Sequence, residues 1–151
     1  MPRLDEPAPR LRLRNQLGIA TGLAELYGHI VVMWWQRSFD HPLADTVARS
    51  LRDRHPDLTA RNAAVLGLSG DPGAEVARFH RVHGLPFDVL SDADGAAAAA
   101  YRLGDWWRAD PDSPLTLVVD AGGLIRARHL VARGHAAHVE ALLAAVVRAA
   151  N

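Results

Sequence analysis

Eight histidines and no cysteine set the chemical vocabulary of this 151-residue chain. His80 and His83 form an HxxH pair, and His135 and His138 repeat the spacing. On a helix that spacing puts both rings on one face, as a metal pair requires. Two ligands do not close a site, and a solvated helix face explains both pairs, so no metal and no cofactor is assigned. Asp40 and His41 are neighbours in a loop and could act as an acid/base pair, because imidazole titrates near neutral pH. The competing reading is a loop held by local hydrogen bonds. Four tryptophans come as two pairs, Trp34–Trp35 and Trp106–Trp107, with Arg37 and Arg108 close behind them. Such rings could fill a cleft, form a partner surface, or line a pocket in which an arginine meets a carboxylate or phosphate.

Composition removes several chemistries. Without cysteine there is no disulfide, no thiolate metal site and no cysteine nucleophile. All 17 basic residues are arginine, so Schiff-base catalysis and a P-loop lysine are absent too. Seventeen acidic residues balance them, which leaves no global basic field for nucleic acid. Asp71-Pro72-Gly73 and Ala121-Gly122-Gly123 read as turns, and neither completes a phosphate-binding loop. No run approaches the roughly 18 apolar residues of a membrane span. The first 16 residues carry charges throughout and have no apolar stretch of the signal-peptide kind. The expectation is one cytoplasmic domain over residues 1–151, associated with neither nucleic acid nor membrane.

The elements that must position these residues alternate between two kinds. His29 to Trp35, Ala63 to Ser69 and Leu115 to Asp120 are continuous apolar runs that fit strands covered on both faces. Shorter strands are expected near Leu11–Leu13 and Phe87–Leu90, and Leu124–Leu130 should return antiparallel from the 121–123 turn. Thr21 to Leu26 reads as a turn or one-turn helix. A helix is expected over Asp45–Arg54, capped by Asp45 or Thr46 and stopped by Pro56. A second runs from about Gly73 to His83, with Val76, Phe79 and Val82 as its apolar positions and Gly84 after it. The alanines after Gly95 suggest a short helix, and His135–Ala150 a terminal one. This order predicts an α/β fold, a mixed central sheet with helices on both faces.

Several segments, in order, resemble the alkyl hydroperoxide reductase/thiol-specific antioxidant family, the peroxiredoxins. Ala8-Pro9-Arg10-Leu11-Arg12-Leu13 resembles the family's APxFxL opening, and Leu23 to Trp35 its first core strand with the preceding turn. His83-Gly84-Leu85-Pro86-Phe87-Asp88-Val89-Leu90-Ser91-Asp92 is similar to HGLPFxLLSD. Asp94-Gly95 to Tyr101 and Thr116 to Ile125 follow at family spacing. The resemblance runs from about residue 5 to 150 and implies a thioredoxin-like fold of the peroxiredoxin type.

The departure falls where the chemistry should be. The family's PxxxTxxC loop corresponds to Gln36 to Ala44. Ungapped, Gln36 takes the Pro, Asp40 the Thr and Leu43 the peroxidatic Cys; matching Pro42 to the family's second Pro moves the Cys position to Ala44. The family's arginine before the later strand is replaced by Ser113-Pro114. The thiolate is the attacking group, so thiol peroxidase catalysis is not expected. Two expectations follow. One is a non-catalytic binding, regulatory or structural domain. The other is an enzyme that reuses the cleft through His41, Asp40, Arg37 and the tryptophans. The candidate ligand residues are Trp35, Arg37, Trp106, Trp107 and Arg108. The resemblance also implies a homodimer formed beside the old catalytic loop, with a small molecule or protein as a further partner there.

Overall fold

The apolar runs of the sequence become the centre of one sheet. A computed structural model describes residues 1–130 and 135–150, and the side chains of 129, 130 and 135–140 fall outside that description. The chain runs β1 (Arg12–Asn15), β2 (Ala20–Gly22), a 3-10 turn (Leu23–Leu26), β3 (Ile30–Gln36), α1 (Pro42–Thr59), β4 (Ala63–Ser69) and α2 (Gly73–His83). It continues through β5 (Asp88–Ser91), α3 (Ala96–Ala100), α4 (Gly104–Ala109), β6 (Leu115–Val119), β7 (Ile125–Leu130) and α5 (His135–Ala149). The strands form one mixed sheet in the order β2-β1-β5-β4-β3-β6-β7. β3, β4 and β5 are parallel, and β6 lies antiparallel on the other side of β3.

Strand alternation divides the core in two. Ile30, Val32 and Trp34 of β3 face α1, α2 and α5, with Leu51, Phe79 and Val146 among their partners. Val31, Met33 and Trp35 face the opposite layer, built from α3, α4 and the N-terminal segment, with Leu11, Tyr101 and Leu103. Val31, Val32, Val65, Leu66, Leu117 and Val119 are all buried, as core strand residues should be.

Three expectations about helices need correction. α1 begins at Pro42 rather than Asp45, because the His41 ring nitrogen Nδ1 accepts the Leu43 N–H at 3.0 Å and caps the helix in place of Asp45 or Thr46. Pro42 takes the first helical turn, where its missing N–H costs nothing. Pro56 lies inside the helix instead of ending it. One ladder bond is lost there, but the turn that follows buries Leu58 in the core, and burial of that size offsets much of the loss. Val82 is largely exposed rather than part of the apolar stripe of α2. Six residues from Val76, it has rotated by about two-thirds of a turn, whereas His83 comes back onto the buried side.

Candidate functional site

The parallel strands end together, so the loops after β3, β4 and β5 meet at one edge of the sheet. Asp71, just after β4, is the hub of that edge. Its carboxylate accepts the Phe39 N–H at 2.7 Å and the hydroxyls of Ser38 and Ser69 at 3.0 and 2.9 Å. Its carbonyl accepts the Ser91 hydroxyl at 2.6 Å. Gly70 donates its N–H to the Arg37 carbonyl at 3.1 Å. The loop of residues 37–41 is thereby tied directly to the end of β4 and, through Asp71, to the end of β5. Asp71 escaped the sequence reading as part of a plain turn; its acid side chain just ahead of Pro72, at the entry to α2, was the available signal.

Beside this loop is an open groove of about 660 Å³, between the start of α1 and α2. Asp40, His41, Asp45, Asp71, Phe79 and His83 line it. His83 Nε2 lies 3.0 Å from an Asp45 carboxylate oxygen, and its ring packs on Phe79 at 4.4 Å between centroids. The His83–Asp45 pair links α1 to α2, a contact that spacing in the sequence does not announce.

The residues singled out from the sequence fall in several places. Asp40 is exposed, and its N–H bonds to the Ser38 hydroxyl; among the described residues no hydrogen bond joins it to His41. His41 is engaged as a cap. A neutral imidazole whose Nδ1 accepts a bond carries its proton on Nε2, and that nitrogen lies 3.8 Å from Asp112, too far for a hydrogen bond. Gln36 is buried, accepts the Trp34 indole N–H at 3.3 Å and donates to the Asp112 carbonyl at 3.0 Å. Leu43 is half-buried in the first turn of α1, and Ala44 is fully buried behind it. Ser113 and Pro114 are buried as well, so that position carries no cation toward the groove.

Arg37 donates through Nε to the Pro111 carbonyl at 3.1 Å, which joins the 37–41 loop to the α4–β6 connection. Those two segments therefore meet, but the tryptophans do not share the groove. Trp34 lies in the α1 layer against Phe39 and Phe79. Trp35 lies in the other layer, 5.1 Å from Tyr101 and 6.3 Å from Trp107, with Trp106 tilted against Trp107 at 5.9 Å. Burial pushes the Tyr101 hydroxyl well above its ordinary pKa, and it donates to the Pro9 carbonyl at 2.7 Å. Trp106 and Trp107 are half-buried, and Arg108 is exposed and pairs with Asp105 on its own helix. His80 is half-buried on α2, while the side chains of His135 and His138 lie outside the described residues. Among the described residues no cluster of three or more His, Asp or Glu could hold a metal ion, and no helix is long and apolar enough to cross a membrane.

Comparison with known proteins agrees with this architecture. Peroxiredoxin Bcp of Bacillus subtilis is 28% identical over 105 residues, 70% of this chain and 65% of that protein. The chloroplastic peroxiredoxin Q of Oryza sativa is 34% identical over 85 residues, 56% of this chain and only 39% of the rice protein. In structure, the peroxidoxin BcpB of Mycobacterium tuberculosis superposes with a TM-score of 0.84 at 24% identity, over 96% of both chains. A cysteine-to-serine mutant of PrxQ from Xylella fastidiosa superposes with a TM-score of 0.85 at 16% identity, over 99% of this chain and 98% of that one. These structures share the fold: a thioredoxin-like α/β domain of the peroxiredoxin type. Residues 4–128 match the AhpC/TSA family over most of the chain, and the protein, with no cysteine anywhere in its sequence, belongs to that family.

Proposed function

We propose that this chain is a peroxiredoxin-family domain that has left thiol peroxide chemistry and works as a binding or regulatory domain through the groove beside α1. The observation that carries this reading is the content of the first turn of α1. His41 caps it, Leu43 and Ala44 follow, and no thiol exists to attack a peroxide. The groove itself is open and polar rather than collapsed, which suits a ligand that is held and not reduced. The test is consumption of hydrogen peroxide or an alkyl hydroperoxide with dithiothreitol or a thioredoxin system in metal-free buffer. The expected rate equals that of a heat-denatured control, and turnover clearly above it overturns the reading.

Non-thiol chemistry in the same groove is the second reading, and the His83–Asp45 pair favours it, because a carboxylate that orients an imidazole is the usual support of a general base. Hydrolysis of 4-nitrophenyl acetate above the background of free imidazole, lost in His83→Ala, is the outcome that selects it. Self-association is proposed for the exposed parts of Trp106 and Trp107, since half-buried indoles suit interfaces. Light scattering should give twice 16.4 kDa, returning to 16.4 kDa on Trp106→Ala with Trp107→Ala. A mass of 16.4 kDa for the unaltered chain rejects the dimer.

A further inference from the structure

At the opposite end of β3 from the groove lies a second cleft, of about 600 Å³. Its floor and walls are apolar. Leu11, Leu23, Leu26, Val31 and Val119 form them, and the largely exposed Tyr27 stands at the edge. The backbone around the mouth is fixed. Gly28 donates to the Ala121 carbonyl at 3.3 Å, and Ala8 donates to the Gly123 carbonyl at 2.8 Å. The 3-10 turn and the β6–β7 turn are therefore held on either side of it. A volume of this size with apolar walls and few polar groups is the ordinary form of a small-molecule site.

The charges at the mouth choose the ligand. Two carboxylates line the cleft, and both are already engaged. Glu25 accepts from the Arg12 guanidinium and from the Gly22 N–H at 3.0 Å. Asp120 accepts from the N–H groups of Gly122 and Leu124 at 3.0 and 2.9 Å and from Arg126 at 2.7 Å. Arg12 is occupied by Glu25. Arg10 also lines the cleft, is exposed, and has no hydrogen-bond or ion-pair partner among the described residues. An unpaired guanidinium above an apolar pocket matches an apolar body that ends in a planar anion, which its fork can bind through two hydrogen bonds. A cationic amphiphile would meet Arg10 with carboxylates that already hold their donors.

We propose that this cleft binds an amphipathic monocarboxylate, with the hydrocarbon chain against Leu11, Leu26 and Val31 and the carboxylate on Arg10. The site is independent of the groove beside α1 and stands whether or not that groove binds anything. Decanoate, kept below its micelle concentration, is the probe. Calorimetry should give saturable one-to-one binding, and amide NMR shifts should cluster at Tyr27, Gly28, Gly122 and Gly123. Arg10→Glu should weaken binding by more than about tenfold, and Arg10→Lys, which keeps the charge but not the fork, by less. Decylamine should bind at least about tenfold more weakly than decanoate. Because Arg10 is exposed and has no partner among the described residues, neither variant should change the thermal midpoint. The proposal falls if binding is not saturable, if decylamine matches decanoate, if Arg10→Glu leaves affinity unchanged, or if the shifts cluster at His41 and Leu43 instead.

Discussion

Trp34 and Trp35 are consecutive and equally buried, yet the two faces of the sheet treat them differently. On the α1 side, Trp34 gives its indole N–H to Gln36, and its ring lies over Gly67 of β4, its partner in the strand ladder. On the α4 side, Trp35 packs among Tyr101, Leu115 and Trp107, and its indole N–H has no acceptor among the described residues. Trp107 Nε1 is buried there without one as well. Among the described residues, the α1 face thus pairs the Trp34 donor, whereas the α4 face pairs the Tyr101 hydroxyl but leaves two indole donors without a protein acceptor. The first face supports the edge where the family keeps its chemistry. The second supports a short helix, α4, whose rings are only half covered.

Hydrophobic loss should hurt both faces alike, since area burial has no direction. Leu51→Ala on the buried face of α1 and Leu117→Ala on the α4 side of β6 should each cost about 2–5 kcal/mol in urea unfolding, while Arg78→Ala, exposed on α2, should stay within about 0.5 kcal/mol. A tolerant Leu117 would mean that the α4 face is loose rather than merely unsatisfied.

Close packing separates the faces next. A Cβ at Gly67 would stand 2.8 Å from Val89 Cγ1 and 3.3 Å from Trp34 Cε3, both on the α1 side. Gly67→Ala should therefore destabilise by about 1–3 kcal/mol and shift the Trp34 fluorescence. A neutral outcome would show that the Trp34 ring has room to move.

Polar satisfaction gives the sharpest contrast. Trp34→Phe removes the donor to Gln36 and should cost about 1–3 kcal/mol beyond any loss of ring area. Trp35→Phe removes an N–H that has no acceptor among the described residues, so its loss of ring area is offset and the net change should be near zero. Equal costs for the two substitutions would erase the distinction between the faces.

The difference between Trp34 and Trp35 shows what sequence can and cannot carry. Alternation along β3 sends consecutive rings to opposite faces, and the apolar runs of β3, β4 and β6 are each long enough to announce a covered strand. Those features are local and were legible. The cap at His41 was not, because capping preferences favour hydroxyl and carboxylate side chains and an imidazole Nδ1 can take the same bond. The span of α1 past Pro56 depended on Leu58 reaching a core assembled from other segments. The site was the least legible part. Asp71 meets Ser38 and Phe39 from 33 and 32 residues away, and His83 meets Asp45 across 38. Only the folded sheet, by ending three parallel strands at one edge, makes those partners neighbours.

The smallest expected effect concerns pH and the cover of the α4 face. Arg126 bridges Asp120, at the end of β6, to Asp5, and so ties the N-terminal segment across the layer that holds Trp35. Burial alone would raise the pKa of Asp120, but the Leu124 N–H, the Arg126 guanidinium and the Gly122 N–H outweigh it and hold the carboxyl below its ordinary value of 3.8. A carboxyl with a lowered folded pKa adds stability that is fully present above its unfolded pKa and is lost as pH falls through the folded one. At pH 7 the tie is therefore complete, and it weakens only below about pH 4. Asp120→Asn should remove that part of the acid-side slope of stability and leave a constant, modest deficit at neutral pH. Amide exchange should place the change at Gly122–Leu124 and the N-terminal segment, with β3 and β4 unaffected. If the variant keeps the acid slope of the unaltered chain, Asp120 is not the group that holds the cover in place.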